Sequence, residues 1–285
     1  MPGLFVFLWS TGYIGAKWGL PYAEPFTMLA MRFAAAGLIF VALAVAMRAP
    51  RPLGPRAAGD AMMVGLLIQG VYLSGVFWSI SRGTPAWLAA LIAALQPLIA
   101  GLLAGPWLGE RVTARHWAGC ALGFFGVALV VVRESGAGVG PLTGVAANLV
   151  GVTALAVGTL YQKRHGGHMD LRWNQAIQQL TACAAIGALA FAFETRDVQW
   201  TSAFALAMDW LILPLSLGMF SLLYLLIRKG AVSRVSMLFF LVPPLTAIEA
   251  HLLFGEALSA RQLAGMVIAV LGVAAVTWRR SPSER

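Results

Sequence analysis

Long apolar runs alternate with short polar breaks along the whole chain. The runs are close to the length that matters for a bilayer: about twenty residues, at about 1.5 Å of rise each, cross a hydrocarbon core about 30 Å thick. The pattern predicts an all-α polytopic membrane protein of ten transmembrane helices, near residues 3–20, 26–47, 61–80, 86–105, 116–132, 142–161, 174–193, 206–227, 235–254 and 262–278. The breaks hold proline, glycine or charge, as at Pro21 and Pro25, Pro50 and Pro52, and Gly83 and Pro85. No break is long enough for a soluble domain, so function must reside among the helices.

Composition strengthens this reading. The 285 residues are 60% hydrophobic and 11% charged, with a mean hydropathy of +0.80. An ordinary soluble domain is about 25% charged, and a chain of this size has no core in which to hide so much apolar surface. The net charge of +9 is spread over short loops and never forms a basic run, which argues against nucleic acid as a partner. Cys120 and Cys183 each sit within an apolar run and form neither a disulfide framework nor a metal-ligand spacing. No cofactor motif stands out. The start, MPGLFVFLW, lacks a basic leader and a small-residue cleavage site, so it reads as a first span; a native start upstream of Met1 stays open.

Charge placement sets the expected orientation. With the N-terminus inside, the cytoplasmic loops carry Arg48, Arg51 and Arg56; Arg111 and Arg115; Lys163, Arg164 and Arg172; Arg228, Lys229 and Arg234; and Arg279, Arg280 and Arg285. The opposite loops carry one each: Lys17, Arg82, Arg133, Arg196 and Arg261. A positive-inside bias that persists loop after loop predicts both termini in the cytoplasm. Nine of the ten tryptophans fall at or near span ends, as an interfacial belt requires, and Trp9 is the exception.

The chain also resembles itself. LGERVTARHWAG at 108–119 answers FGEALSARQLAG at 254–265, so that Glu110 corresponds to Glu256 at an offset of 146. Lys17 matches Lys163 and Gly12 matches Gly158 at the same offset; Pro97 matches Pro244 after a one-residue slip. The expected units are 1–133 and 139–280, each with five spans. Five is odd, so the second copy enters the membrane inverted, and inverted repeats supply the two mirrored openings of alternating access.

These residues resemble a known family. An early WSTGYIGAK, then RFAAA, AALQPL and LGERVT, ending in GFFGVALVV, is similar to the EamA-type transporters of the drug/metabolite transporter superfamily. The resemblance covers essentially the whole chain. It implies ten helices around a central cavity, with the fifth and tenth spans peripheral. It also implies small metabolites, often amino acids or other amphipathic compounds, moved commonly outward across the bacterial inner membrane.

Several residues could carry such transport. Glu249 is an intramembrane carboxylate near the outer end of the ninth span; it could bind a substrate ammonium, couple a proton, or reach water at the interface. Arg32, in the second span, suits a substrate carboxylate or snorkels to the headgroups; its repeat counterpart is Gln178. If both charges face one cavity, a zwitterion matches them. Pro97, Pro243 and Pro244 are expected to kink the fourth and ninth spans at equivalent places, as gates do. Trp9, Tyr13, Tyr72, Trp78, Gln96 and Thr159 are further candidates for the cavity wall, each with interhelical packing as the alternative. Glu110 and Glu256 read as structural, capping the following helix or pairing with Arg115 or Arg261. The small-residue faces Gly119, Gly123, Gly126 and Gly265, Ala269, Gly272 read as helix packing or a dimer contact, leaving monomer and homodimer both open.

The competing functions are a membrane-embedded enzyme and a non-transporting receptor or scaffold. His165 and His168 share a basic loop but lack the spacing and further ligands of a metal site. A phosphate-binding glycine loop is absent, which argues against ATP-driven pumping by this chain alone.

Overall fold

A computed structural model describes residues 2–50, 54–108, 114–131, 142–165, 169–228, 241–256 and 259–277. The first half forms α1 (Pro2–Gly19), α2 (Pro25–Ala46), α3 (Pro55–Ser81), α4 (Ala86–Ala93), α5 (Gln96–Leu108) and α6 (Ala114–Val131). The second half forms α7 (Leu142–His165), α8 (Leu171–Phe193), α9 (202–228), α10 (Val242–Phe254) and α11 (Ala260–Thr277). Among the described residues the sole extended pairing is one bridge, Ala23 with Val198. Glu110, and most of the basic residues that set the expected orientation, lie outside the described residues or have undescribed side chains.

Among the described residues, six helical stretches are long and apolar enough to cross a membrane: Pro25–Ala46, Pro55–Ser81, Ala86–Leu103, Leu142–His165, Leu171–Phe193 and Ser202–Leu225. Val242–Phe254 and Leu263–Gly272 are shorter apolar helices. Burial runs opposite to that of a water-soluble protein. Phe191 and Leu252 are each 75% exposed, whereas Arg32 is 2% exposed and Gln69 fully buried. Apolar side chains outside and polar ones inside is the arrangement that lipid as solvent selects.

Proline acts where the sequence places it. Pro97 has no N–H to give the carbonyl of Ala93, and α4 stops at that residue; a turn through Ala94 and Leu95 leads into α5. The expected fourth span is therefore built of two helices, within one stretch, Ala86–Leu103, that is long and apolar enough to cross a membrane. Pro243 and Pro244 stand in the first turn of α10, where a missing N–H costs nothing. The residues just before Leu241 lie outside the described ones, so the expected kink there is not addressed.

Two helices depart from regular α geometry at equivalent places. In α3 the stretch Gly65–Tyr72 is π-helical, and in α9 the stretch Leu211–Met219 is π-helical. Gly65 and Leu211 are 146 positions apart, the offset of the sequence repeat. Pro214 supplies a cause in α9, since it withdraws an N–H from the ladder. The Ser216 hydroxyl then donates to the carbonyl of Leu211 at 3.1 Å.

Helices of the two halves interlock. Helix α2 packs along α8, and α6 packs along α11. The second contact is glycine-mediated: a Cβ on Gly126 would meet the backbone nitrogen of Ala269 at 2.6 Å. The small-residue faces noted in the sequence thus meet each other within one chain, which leaves them unavailable to a second copy. The start of α2 is held from afar. The Glu194 carboxylate, just after α8, accepts from the backbone N–H groups of Phe26 and Thr27 at 2.8 and 2.7 Å. In return Glu24 accepts from the Thr195 hydroxyl and the Arg196 N–H at 2.8 and 2.9 Å. Desolvation is the largest single influence and raises the Glu24 carboxyl, but these hydrogen bonds and the Arg196 charge together outweigh it and hold its pKa below the ordinary carboxylate value.

Candidate functional site

A partly open cavity lies between the halves, with about 330 Å³ of non-atom space in and around it, its open mouth included. Helix α1 contributes Trp9, Gly12 and Tyr13, which its periodicity places on one face. Helix α2 contributes Arg32, and α3 contributes Tyr72, Leu73, Val76 and Phe77. The far wall comes from α9, through Leu215, Met219 and Phe220 at the end of its π segment.

The polar groups of this cavity are few and linked. The Trp9 indole N–H points at the Tyr13 hydroxyl at 3.4 Å, and the Tyr13 and Tyr72 hydroxyls are 2.9 Å apart. Trp9 stacks on Tyr72 and tilts against Phe220, with ring centroids 6.4 and 6.1 Å apart. Arg32 donates from Nε to the Ser216 hydroxyl at 2.8 Å, and its guanidinium carbon lies 5.9 Å from the Phe220 ring centre. Among the described residues no carboxylate lines the cavity, and the two ion pairs lie elsewhere, at Lys17–Glu256 and Arg172–Asp170.

A second constellation borders it along the seam of α1 and α10. The Ser10 hydroxyl, next to Trp9 in sequence, lies 2.8 Å from Glu249 Oε1 and 2.9 Å from the carbonyl of Phe7. Seven residues further along each segment, the Lys17 ammonium pairs with the carboxylate of Glu256, just past the end of α10, and covers the Phe254 ring at 4.5 Å. The two contacts share one sequence separation, 239, so α1 and α10 run parallel and are clasped at two levels two helical turns apart. Each carboxylate also has one buried oxygen with no bonded partner, Oε2 in both cases.

Of the residues expected from the sequence, Trp9, Tyr13, Arg32 and Tyr72 meet in the cavity. Glu249 does not line it, so the two intramembrane charges do not face one space. Gln96 donates to the Thr159 hydroxyl at 3.1 Å, across the seam of α5 and α7. Gln178 is buried in an amide cluster on α8 and donates to Asn174. Trp78 is half-buried under the Arg82 guanidinium, 5.6 Å away, and takes no part in the cavity. Glu256 has Lys17 for its partner, an interaction across 239 residues that the sequence does not announce. Sequence reasoning also passed over Ser216, Met219 and Phe220, the α9 wall. The signal for Ser216 was there: a lone hydroxyl beside Pro214 in an otherwise apolar run.

Comparison with known proteins agrees with this architecture. The EamA-like transporter family matches the chain twice, over residues 4–132 and 142–278. An uncharacterized transporter of Bacillus subtilis, YvbV, is 26% identical over 95% of this chain and 88% of its own length. A probable amino-acid metabolite efflux pump of Escherichia coli is 25% identical over 98% of this chain and 95% of its own. A solved crystal structure superposes with a TM-score of 0.69 at 21% identity, covering 96% of this chain and 94% of that one, which speaks for the fold. Two family matches that together span nearly all of a lipid-adapted helical bundle leave one assignment: the chain belongs to the EamA-like transporter family.

Proposed function

We propose that the protein is a secondary transporter that exports small amphipathic metabolites, amino acids or related compounds, across the bacterial inner membrane by alternating access. The observation that carries this reading is the aromatic cavity, walled by α1, α2 and α3 of one half and α9 of the other, with the buried Arg32 inside it. A site shared by two inverted halves changes its exposure when one half rocks against the other. In this reading α4 and α5 form one crossing and the chain spans ten times, with both termini cytoplasmic as the basic loops favour.

That orientation puts the Lys17–Glu256 clasp on the outer side, where it shuts the seam of α1 and α10. Glu249 is the proposed coupling site, on the geometry of Ser10. A hydroxyl has one proton to give, yet the Ser10 oxygen sits within bonding distance of both Glu249 and the Phe7 carbonyl. A protonated Glu249 donates to Ser10 and leaves the Ser10 proton for Phe7; an ionised one takes that proton. The seam therefore has two hydrogen-bonded arrangements that differ by one proton.

The test is counterflow and efflux in proteoliposomes of the purified chain, with metabolites chosen by comparing medium and cytoplasm with and without overexpression. Saturable flux that follows an imposed pH gradient supports the proposal. Sealed vesicles that show no flux of any enriched metabolite count against transport.

A further inference from the structure

Arg32 is a buried cation with no carboxylate paired to it among the described residues. It is 2% exposed, and its one protein hydrogen bond among the described residues is from Nε to Ser216. A guanidinium has five N–H donors, and leaving a buried charge unpaired is costly. Glu249, the intramembrane carboxylate that the sequence offers, is instead held by Ser10 outside the cavity. We infer that the ligand itself brings the anion: the cavity recognises organic monocarboxylates with a compact apolar or aromatic body, and it requires no ammonium group. The inference rests on the transporter reading only in taking that ligand as the cargo.

Five features of the cavity point the same way. The planar guanidinium fork matches a carboxylate with two parallel hydrogen bonds. The Tyr13 and Tyr72 hydroxyls use one of their two protons on each other at 2.9 Å, so one proton is left to donate to a second carboxylate oxygen. Trp9, Phe77 and Phe220 wall the space beside Arg32, which suits the face of a ring or a branched apolar chain. One positive charge balances one negative charge; a dianion would strand the second in a low-dielectric space. An ammonium finds no carboxylate in the lining, and a simple amine would place a second cation beside Arg32.

The test compares three probes of one shape: 3-phenylpropionate with the carboxylate alone, phenylalanine with both groups, and phenethylamine with the ammonium alone. Binding to the full chain in detergent is measured by calorimetry, and flux in proteoliposomes is measured separately. The expected order is 3-phenylpropionate at least as tight as phenylalanine, and phenethylamine weaker by about a hundredfold, the scale of a charge-assisted hydrogen-bonded pair. Arg32→Gln should weaken 3-phenylpropionate by about as much. Arg32→Lys, which keeps the charge and guards against misfolding of the first variant, should weaken it about tenfold by losing the fork. Phenethylamine binding as well as 3-phenylpropionate, phenylalanine binding tenfold tighter than it, or none of the three binding would each overturn the inference. Binding in the expected order without flux of any probe would leave this ligand class standing and count against transport. Flux with the ammonium required would do the reverse.

Discussion

Helices α2 and α8 hold equivalent places in the two halves and pack along each other, yet their buried faces carry different chemistry. At the offset of 146, Met28, Leu29, Arg32 and Phe33 of α2 stand against Asn174, Gln175, Gln178 and Gln179 of α8, and all eight are buried. Each helix also meets the π segment of a neighbour. Arg32 bonds Ser216 in the α9 segment, and the α8 backbone at Gln178 approaches Gly65 of the α3 segment so closely that a Cβ there would lie 2.6 Å away. The scaffold is thus repeated while the side chains have diverged: one face concentrates a single charge among rings, and the other spreads neutral amides. The lesson is that pseudo-symmetry constrains where helices touch and leaves free what they touch with.

The largest expected effect breaks this comparison directly. Arg32→Gln with Gln178→Arg keeps the composition and moves the charge to the other helix; flux should stay at the level of Arg32→Gln alone, about a hundredfold down, if position rather than charge count matters. Recovery to within threefold of the parent chain would show the two faces to be interchangeable. By contrast Gln178→Ala should change substrate affinity less than threefold, because Gln178 bonds Asn174 and does not line the cavity.

The two seams sharpen the contrast further. The α1–α10 seam is closed by the Lys17–Glu256 ion pair, whereas the α5–α7 seam has the neutral Gln96–Thr159 contact. Lys17→Glu should lower flux about tenfold through like-charge repulsion, and adding Glu256→Lys should restore most of it. A Lys17→Cys, Glu256→Cys pair, cross-linked, should stop transport, and reductant should bring it back. Transport that continues while cross-linked would make the contact a mere brace. Glu249→Gln should leave flux at neutral pH within about threefold and flatten its dependence on pH, as expected where a single proton switches Ser10 between two partners.

Much of this was legible in the sequence, for identifiable reasons. The long apolar helices and the shared face of Trp9 and Tyr13 follow from periodicity. The burial of Arg32 was legible only as one of two options, since a cation about six residues into a span can also snorkel, and packing against α9 decides between them. The break at Pro97 follows from its missing N–H. The α9 wall was not legible, since Met219 and Phe220 differ in no local way from lipid-facing residues such as Leu213. Nor was the separation of Glu249 from Arg32, which depends on which face of α10 meets α1.

The smallest effects concern the loops that join α2 to α8. Glu194→Gln should lower stability by about 1 kcal/mol, the usual worth of a helix cap, read as a drop in Tm. Glu24→Gln should do less, as its partners are the Thr195 hydroxyl and the Arg196 N–H of a loop rather than the first N–H groups of a helix. Its pKa is lower folded than unfolded, so its contribution is present at neutral pH and fades as pH falls through the folded value, below the ordinary 4.5. A Tm difference between Glu24→Gln and the parent that grows on acidification would contradict this sign.

The Glu194 contact bears on how the chain is made. It joins residues 167 positions apart, Thr27 and Glu194, and gives α2 its N-terminal acceptor. At roughly 5–20 residues per second a ribosome needs about ten to thirty seconds to cover that distance. Throughout that interval the first half is inserted with the α2 start uncapped by its final partner. Biogenesis must therefore end with a docking event between halves rather than with the sequential completion of two self-sufficient units. A first half expressed alone should insert and be degraded, and co-expression of the second half should rescue it.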